Sequence, residues 1–300
     1  MAQSAKENKK RLGIVANLSK QKARETIPAF LQMLREKEIP AVITTTIQRE
    51  LDVGPLGLDA YPRSEIGLYS DLVVAFGGDG TMLSTARDVS HTQVPILGVN
   101  LGRFGFLAEI SIEELYRLID DIAVGKFNVE SRMAIQARVI KGNRQRLFFA
   151  FNDVVLDRYS SSRTILIDTY INEEYLNTYD ADGIIISSPT GSTAYNLSAG
   201  GPLLAPDMEA LIVTPICSHS LSQRPLVIHP GRTIRIKARS EGRKMLFTAD
   251  GQDVLTVTEH DVIEVQKAPF PVKLVKCSGK SFYEVLRTKL NWGENKKNRA

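Results

Sequence analysis

Residues 71–81 read DLVVAFGGDGT, and this stretch decides the fold. An uninterrupted apolar run, LVVAF (72–76), precedes three glycines that enclose one aspartate, Asp79. Apolar runs without polar alternation are typical of strands that are buried on both faces, as in parallel sheets. Helical spacing follows over residues 80–89. A buried strand, a glycine turn and a helix in this order predict one unit of an α/β sheet.

The residues on either side of this unit repeat its alternation of strand and helix. Short β-rich runs are separated by segments with apolar residues at helical spacing. The predicted strands are LGIVAN (12–17), AVITTT (41–46) and PILGVN (95–100), and the predicted helices cover 22–38, 80–89 and 111–126. The last helix begins with Ser111 and Glu114, which form a capping box. We therefore predict an N-terminal doubly wound α/β domain over residues 1–129.

From about residue 130 the hydrophobic period changes from about 3.6 residues to about 2. Alternating runs are separated by turn residues, and long helical patterns are largely missing. The predicted strands lie in MAIQARVI, LFFAF, TILIDTYI, GIIIS, TIRIKA, KMLFTA, DVIEV and PVKLVK, with KGN as a hairpin turn after the first. This pattern predicts a C-terminal all-β domain over 130–279, built as a β-sandwich or a stack of sheets. The final segment, SFYEVLRTKLNWG (281–293), is ambiguous between strand and helix.

Composition and charge exclude several classes of protein. The 300 residues are 43% hydrophobic and carry a formal net charge of +4, much of it in the terminal segments. No basic stripe interleaved with aromatic residues is present, so no nucleic-acid partner is expected. Cys217 and Cys277 lack the spacing of a disulfide framework or a zinc site. The sequence has neither a secretory signal nor an apolar stretch long enough for a bilayer, so we expect a cytoplasmic protein with no membrane partner.

Phosphate is the ligand that the glycine turn favours, because a bare turn before a helix points backbone N–H groups at an anion. Two standard phosphate loops are excluded. The P-loop requires a lysine where Thr81 follows Gly80, and the dinucleotide fingerprint requires a glycine where Leu83 stands. A carboxylate beside phosphate is expected when it accepts a proton from an attacking hydroxyl or holds Mg²⁺, and both occur in phosphoryl transfer. The alternative is a tight turn in which Asp79 caps the helix.

Three further stretches offer groups that bind nucleotides. GVNLGRFGFLAE (98–109) places glycines after the next strand, at the same carboxyl edge of the sheet. Asn152 and Asp153 stand beside an apolar run, where a core strand would not carry polar residues without a partner. DADGIIISSPTGSTAYNLSAGGP (180–202) offers hydroxyls, backbone amides and one aromatic ring, which suits a sugar–phosphate chain and a base. The alternative for this last stretch is an ordinary Ser/Thr/Gly loop.

Two other motifs have simple interpretations. DGQD (250–253) predicts a hairpin turn on Asp-Gly chemistry alone. Two interpretations of His219 are equally favoured, a histidine packed in the protein interior and a residue of the functional site. The sequence contains no H-E-x-x-H, G-x-S-x-G or kinase-type H-R-D motif, so zinc protease, serine hydrolase and protein kinase chemistry are not indicated.

Taken together, these stretches resemble the NAD kinases over essentially the whole chain, from about residue 11 to 285. The resemblance is strongest in GGDGT (77–81), GVNLGRFGFL (98–107), SSPTGSTAYNLSAGGP (187–202) and HSLSQRPLVI (219–228). The first motif alone is weak, because diacylglycerol and sphingosine kinases and phosphofructokinases share similar turns. The long Ser/Thr/Gly segment is the specific one. The resemblance implies an α/β domain followed by a β-sandwich-like domain with the active site between them, and a C-terminal segment (about 280–300) that often returns to the first domain.

The resemblance also implies an activity, the transfer of a phosphoryl group to the 2′-hydroxyl of the adenosine ribose of NAD to make NADP. The implied donor is ATP with Mg²⁺, and some relatives use polyphosphate as well. Asp79 matches the family's catalytic aspartate, the general base toward that hydroxyl. The positions that match substrate contacts of the family are Asp79, Gly80, Asn152, Asp153, Arg163, Asp180, Asp182, Thr193, Ala194, Tyr195, Asn196, Leu197, Ser198 and Gln252. Asp153 stands where glutamate is common, and the residue at 180 influences tolerance of NADH.

Family members are commonly homodimers or homotetramers built through the β domain, so we expect a homo-oligomer. Two alternatives are a lipid or sugar kinase that shares the glycine turn, and a non-catalytic NAD sensor. The first leaves residues 187–202 unexplained, and the second leaves Asp79 with little purpose.

Overall fold

The computed structural model describes residues 9–102, 105–159, 163–220, 222–277, 279 and 281–292. These residues form an α/β half and an all-β half. The elements of the first half are β1 (Leu12–Ala16), α1 (Gln21–Glu36), β2 (Ala41–Thr44), α2 (Thr45–Glu50), β3 (Ala60–Tyr61), β4 (Leu72–Gly77), α3 (Asp79–Val89), β5 (Ile96–Asn100), β6 (Ile110–Ser111), α4 (Ile112–Ala123) and β7 (Asn128–Arg132). Those that follow are β8 (Ile135–Lys141), β9 (Arg144–Ala150), β10 (Asp153–Asp157), β11 (Ile165–Ile171), β12 (Glu174–Ala181), β13 (Gly183–Ser187), α5 (Tyr195–Ser198), β14 (Leu211–Ile216), β15 (Leu226–Ile228), β16 (Ile234–Arg239), β17 (Met245–Ala249), β18 (Asp253–Val257), β19 (Val262–Lys267), β20 (Val272–Lys276) and α6 (Phe282–Leu290).

The first sheet has the strand order β3-β2-β1-β4-β5-β20-β7, with β6 beside β5, and most of its strands are parallel. All residues of β4 are buried, which confirms the predicted buried strand. Helices α1 and α4 pack on one face of this sheet, and α3 packs on the other. The chain moves outward from β1 to β2 and, in the opposite direction, from β4 to β5. The boundary between β1 and β4 is therefore the topological switch point, where open α/β sheets bind ligands.

The second half is a sandwich of two six-stranded sheets, with orders β15-β14-β13-β10-β17-β18 and β12-β11-β16-β19-β8-β9. All pairings within these two sheets are antiparallel. One apolar core lies between the sheets and includes Phe148 against Phe247. The predicted hairpin at KGN is confirmed, since Lys141 pairs with Arg144 across the turn. The α/β-plus-sandwich fold class is thus confirmed.

Strand β20 departs from the expected division at residue 129. It lies within the range predicted for the all-β domain, yet it pairs in parallel with β5 and antiparallel with β7, in the first sheet. Its sequence, VKLVK, alternates apolar and charged residues, a pattern that suits either sheet. The ambiguous C-terminal segment forms helix α6, whose capping box joins Ser281 and Glu284.

Helix α3 joins the two halves. Its buried residues Met82, Leu83 and Ala86 share one core with Phe151 and Ala134, which flank the sandwich strands. Helix α3, which begins at Asp79, therefore contacts both the first sheet and the residues that flank the sandwich strands. Among the described residues, no helix combines the length and apolar character needed to cross a bilayer.

Candidate active site

Asp79 is the first residue of α3 and lies at the carboxyl end of β4. Its carboxylate accepts hydrogen bonds from the backbone N–H groups of Phe106 at 2.9 Å and Leu107 at 3.0 Å. Both donors follow β5, the neighbouring strand. A Cβ at Gly105 would overlap the Asp79 carboxylate, so the close approach of this segment requires glycine. The two turns hold the carboxylate in place, and each oxygen retains a second lone pair that a ligand can use.

The interpretation of Asp79 as a helix cap is wrong. The N-cap of α3 is Gly78, with no side-chain capping bond, and the aspartate reaches the segment after β5 instead. None of the three glycines of this turn has a positive φ, and close approach requires glycine only at Gly77. A Cβ at Gly77 would overlap the side chain of Thr81.

A cleft of about 920 Å³ opens beside this turn, at the switch point between β1 and β4. We call it the switch-point cleft. Its lining residues are Ala16, Asn17, Leu18, Ser19, Lys20, Arg24, Thr46, Glu50, Arg63, Gly78, Asp79, Gly80, Thr81, Ser84 and Gln252. Two of its cations have carboxylate partners, Arg24 with Glu50 at 2.7 Å and Arg63 with Asp88 at 2.8 Å. The cleft therefore combines a glycine turn, hydroxyl groups and positive charge, which are the groups that bind phosphates.

A second cavity, of about 340 Å³, lies against the sandwich and is here called the Tyr195 cavity. It brings four of the predicted site residues together, Asn152, Asp153, Ala194 and Tyr195. The remaining lining residues are Val155, Asp157, Leu246, Thr248, Asp250 and Gly251. The Tyr195 side chain is accessible, with 43% of the residue surface exposed. The cavity offers an aromatic ring, an amide and carboxylates, a set that can bind a nucleoside.

Asp250 fixes the backbone that lines one side of this cavity. Its carboxylate accepts three backbone N–H groups, from Phe151 at 2.9 Å, Asn152 at 2.7 Å and Asp153 at 3.2 Å. Burial raises the pKa of Asp250. Burial, together with the charge of Asp250, raises the pKa of Asp153 to about 7. Two buried carboxylates thus lie close together, and one of them titrates near neutral pH.

The turn Asp250–Asp253 also contacts the glycine turn, and we call it the clasp. Gln252 Nε2 donates a hydrogen bond of 2.9 Å to the carbonyl oxygen of Gly80. Asp253 lies 3.6 Å from the guanidinium of Arg87, further along α3. Asp250 and Gly251 have φ values of 52° and 63°, as the predicted Asp-Gly hairpin requires. The simple interpretation of DGQD as a turn is therefore correct but incomplete, because the clasp connects both cavities.

The segment 190–202 combines exposed and buried roles. Ser198 is exposed, and Thr193 and Leu197 are partly exposed. Asn196 is fully buried, and its amide donates to the carbonyl oxygens of Ser192 and Pro202 and accepts from Thr214 Oγ1. The side chain of Asn196 thus supports the loop from inside.

Seven predicted site residues are absent from the linings of the two cavities. Four belong to the segment just described, Thr193, Asn196, Leu197 and Ser198, and the other three are Arg163, Asp180 and Asp182. Asp182 forms an ion pair with Arg158 at 3.0 Å. Arg163 is exposed and lies 3.3 Å from Glu241, and Asp180 stands on β12 beside Leu166 of β11. The structure of this chain does not bring these three side chains to the linings of the two cavities described above. Residues 103 and 104 of the GVNLGRFGFL motif fall outside the described residues.

Sequence reasoning missed most of the residues that line these cavities, and three of them bear on function. Asp250 was interpreted only as part of a hairpin turn, and Lys20 and Arg63 belong to segments without a motif. The available signal for Lys20 was its position three residues after the strand predicted over 12–17, at the same sheet edge as the glycine turn.

Two family models match this chain. The ATP-NAD kinase N-terminal domain matches residues 58–127, and the ATP-NAD kinase C-terminal domain matches residues 151–277. The NAD kinase of Moorella thermoacetica is 40% identical over 283 residues, which are 94% of this chain and 90% of that protein. The NAD kinase of Syntrophotalea carbinolica is 40% identical over 286 residues, which are 95% of this chain and 99% of that protein.

Two solved structures resemble the fold. The yeast NADH kinase, crystallised with NADH, has a TM-score of 0.83 and 28% identity, covering 96% of this chain and 89% of that chain. The NAD kinase from Archaeoglobus fulgidus in complex with ATP has a TM-score of 0.73 and 24% identity, covering 94% of this chain and 98% of that chain. The second likeness concerns the fold alone.

Proposed function

The chain belongs to the NAD kinase family, and we propose that it transfers a phosphoryl group from ATP to the 2′-hydroxyl of the adenosine ribose of NAD, with Asp79 as general base. One observation carries this assignment of Asp79. Its carboxylate lies at the carboxyl end of β4, fixed by the backbone of the neighbouring turn, and lines the switch-point cleft.

We assign the donor to the switch-point cleft and NAD to the Tyr195 cavity. The cleft has the glycine turn, the N-terminus of α3 and the cations that suit phosphates. In the Tyr195 cavity, the exposed ring can stack on a base, and Asn152 can both donate and accept a hydrogen bond. The clasp lines both cavities, which supports the adjacency of the two substrates.

In the proposed reaction, Asp79 accepts the proton of the 2′-hydroxyl as its oxygen forms a bond to the γ-phosphorus. The bond from that phosphorus to the bridging oxygen of ADP breaks, and no phosphoenzyme forms. The hydrogen bonds from Phe106 and Leu107 orient the carboxylate, so that little reorganisation is required before transfer. Backbone N–H groups at the start of α3 lie where they can stabilise charge on the transferred group.

We expect Mg²⁺ to enter with ATP as part of the donor. The described residues contain no cluster of three or more His, Cys, Asp or Glu side chains that could hold a metal ion. Mg²⁺ that accompanies a nucleotide is held largely by the phosphates and by water, so it would not require a dedicated cluster of carboxylates in this cleft. When bound, the ion would neutralise charge on the phosphates.

The test is a comparison of wild type with Asp79→Asn, with NAD, ATP and Mg²⁺ and detection of NADP by an NADP-specific dehydrogenase. We expect the variant to bind NAD and to lose turnover by about 10²–10⁴-fold, the usual contribution of a general base. Asp52→Asn, at an exposed position that does not line the cleft, is the matched control. Turnover near wild type in Asp79→Asn would remove this residue from the chemistry.

The alternatives of a lipid or sugar kinase and of an NAD sensor are not favoured, because both halves of the chain match NAD kinase models. A homodimeric or homotetrameric state and a cytoplasmic location stay predictions. Sedimentation of the purified chain and fractionation of the source cells test them.

A further inference from the structure

Lys20 stands in the switch-point cleft without a role in the function proposed so far. It ends the turn between β1 and α1, and its side chain is exposed. A Cβ built on Gly78 would lie 3.7 Å from Lys20 Nζ, which is the one neighbouring atom within 4 Å of that position. The ammonium group therefore lies beside Gly78, within the same cleft as the glycine turn.

The charge of Lys20 is uncompensated among the described residues. Arg24 and Arg63 have carboxylate partners in or beside the cleft, whereas no hydrogen bond or ion pair of the Lys20 ammonium occurs in the described structure. Lys20 is the N-cap of α1, and the first turn of this helix contains no acidic residue. A cation at a helix N-terminus is unfavourable, because the helix dipole is positive there. An anion bound beside Lys20 would relieve this repulsion.

The backbone that carries Lys20 is well fixed. Asn17 accepts hydrogen bonds from the backbone N–H of Ser19 at 3.1 Å and from its hydroxyl at 2.7 Å. The backbone N–H of Asn17 donates to Phe76, next to the glycine turn, at 3.0 Å. The turn of Lys20 and the turn of Asp79 are thus attached to each other at the ends of adjacent strands.

We propose that Lys20 binds the phosphates of the donor. The glycine turn after β4 has no lysine of its own, and Lys20, which follows the neighbouring strand β1, supplies the positive charge. The proposal rests on the proposed function and adds a residue that determines affinity for the donor. A lysine ammonium is a compact point charge that binds phosphate without a fixed fork geometry, which suits a group reaching over a bare backbone turn. The NAD assignment does not involve Lys20, since it does not line the Tyr195 cavity.

The experiment compares Lys20→Met, which removes the charge, with Lys20→Arg, which keeps it. Lys22→Met is the matched control, since Lys22 is exposed on the same helix and does not line the cleft. The readouts are the KM values for ATP and NAD, the Kd for ATP by calorimetry, and thermal unfolding. We expect Lys20→Met to raise both ATP constants by about 10-fold or more, as for the loss of a charged hydrogen bond. The KM for NAD and the unfolding temperature should stay within about twofold and about 2 °C of wild type, and Lys20→Arg should restore most of the ATP affinity.

Two results would overturn the proposal: ATP constants of Lys20→Met within twofold of wild type, or an equal rise in the KM values for ATP and NAD. The calorimetric titration separates this inference from the proposed function. A wild type that makes no NADP refutes the function, yet the Kd for ATP of wild type and Lys20→Met still decides whether Lys20 binds the donor.

Discussion

Asp250→Ala should damage both the stability of the protein and its binding of NAD. The substitution leaves three backbone N–H groups, of Phe151, Asn152 and Asp153, without their acceptor. An unsatisfied buried donor costs about 1–3 kcal/mol. Water entering from the Tyr195 cavity can replace part of this loss, and removal of a buried negative charge beside Asp153 offsets a further part. We therefore expect a net loss of about 2–4 kcal/mol in the free energy of unfolding.

The assay is thermal unfolding combined with an NAD titration. At about 2–4 °C per kcal/mol for chains of this size class, the unfolding temperature of Asp250→Ala should fall by roughly 4–16 °C. Asp250→Asn keeps one acceptor oxygen, so its unfolding temperature should fall by about half as much as that of Asp250→Ala. NAD affinity should fall in both variants, because Asn152 loses the contact that fixes its backbone. Asp52→Ala is the control, at an exposed aspartate. An unfolding temperature of Asp250→Ala within about 1 °C of wild type would refute this reasoning.

Two further predictions concern the same site. Because burial raises the pKa of Asp153 from 3.8 to about 7, the folded protein binds a proton that the unfolded chain releases between these values, and stability falls as pH rises through this window. Asp153→Asn should therefore raise the unfolding temperature relative to wild type at pH 8 and raise it less at pH 5; a pH-independent difference would contradict this cause. Gly105→Ala should displace the Asp79 carboxylate and lower kcat by about 10²-fold or more in the NADP assay, whereas Gly102→Ala, where a Cβ has open space, should retain activity.

Much of the fold follows from local patterns in the sequence. The buried strand of residues 72–77, the capping box at Ser111 and the hairpin after Lys141 all form as predicted. Each depends on neighbouring residues whose preferences agree with the final packing. The end of one predicted strand was also wrong: the strand predicted over 41–46 ends at Thr44, whose hydroxyl accepts from the backbone N–H of Ile47 and caps α2. Runs of threonine favour strands, and a capping bond overrides that preference here.

Contacts between distant segments could not be predicted from local pattern. Asp250 follows Asn152 by almost a hundred residues, and only the fold shows that its carboxylate accepts the N–H groups beside that asparagine. Lys20 likewise meets Gly78 because β1 and β4 are neighbours. The roles given to Asp79 and the NAD-site residues came from family resemblance, and they stay predictions until the variants are measured.

The return of β20 to the first sheet makes the sandwich an insertion within the α/β domain. The chain leaves that sheet through β7 and re-enters it through β20, and the two strands pair side by side, with Arg132 opposite Val272. During synthesis, β5 can pair with β4 and β6, but its contact with β20, Ile96 opposite Leu274, cannot form until the ribosome has produced that strand. The part of this edge that β6 does not cover is open to association with other chains throughout that interval. The chain must therefore be synthesised through the whole sandwich before the sheet that carries Asp79 has all its strands, and the Tyr195 cavity is itself lined by sandwich residues.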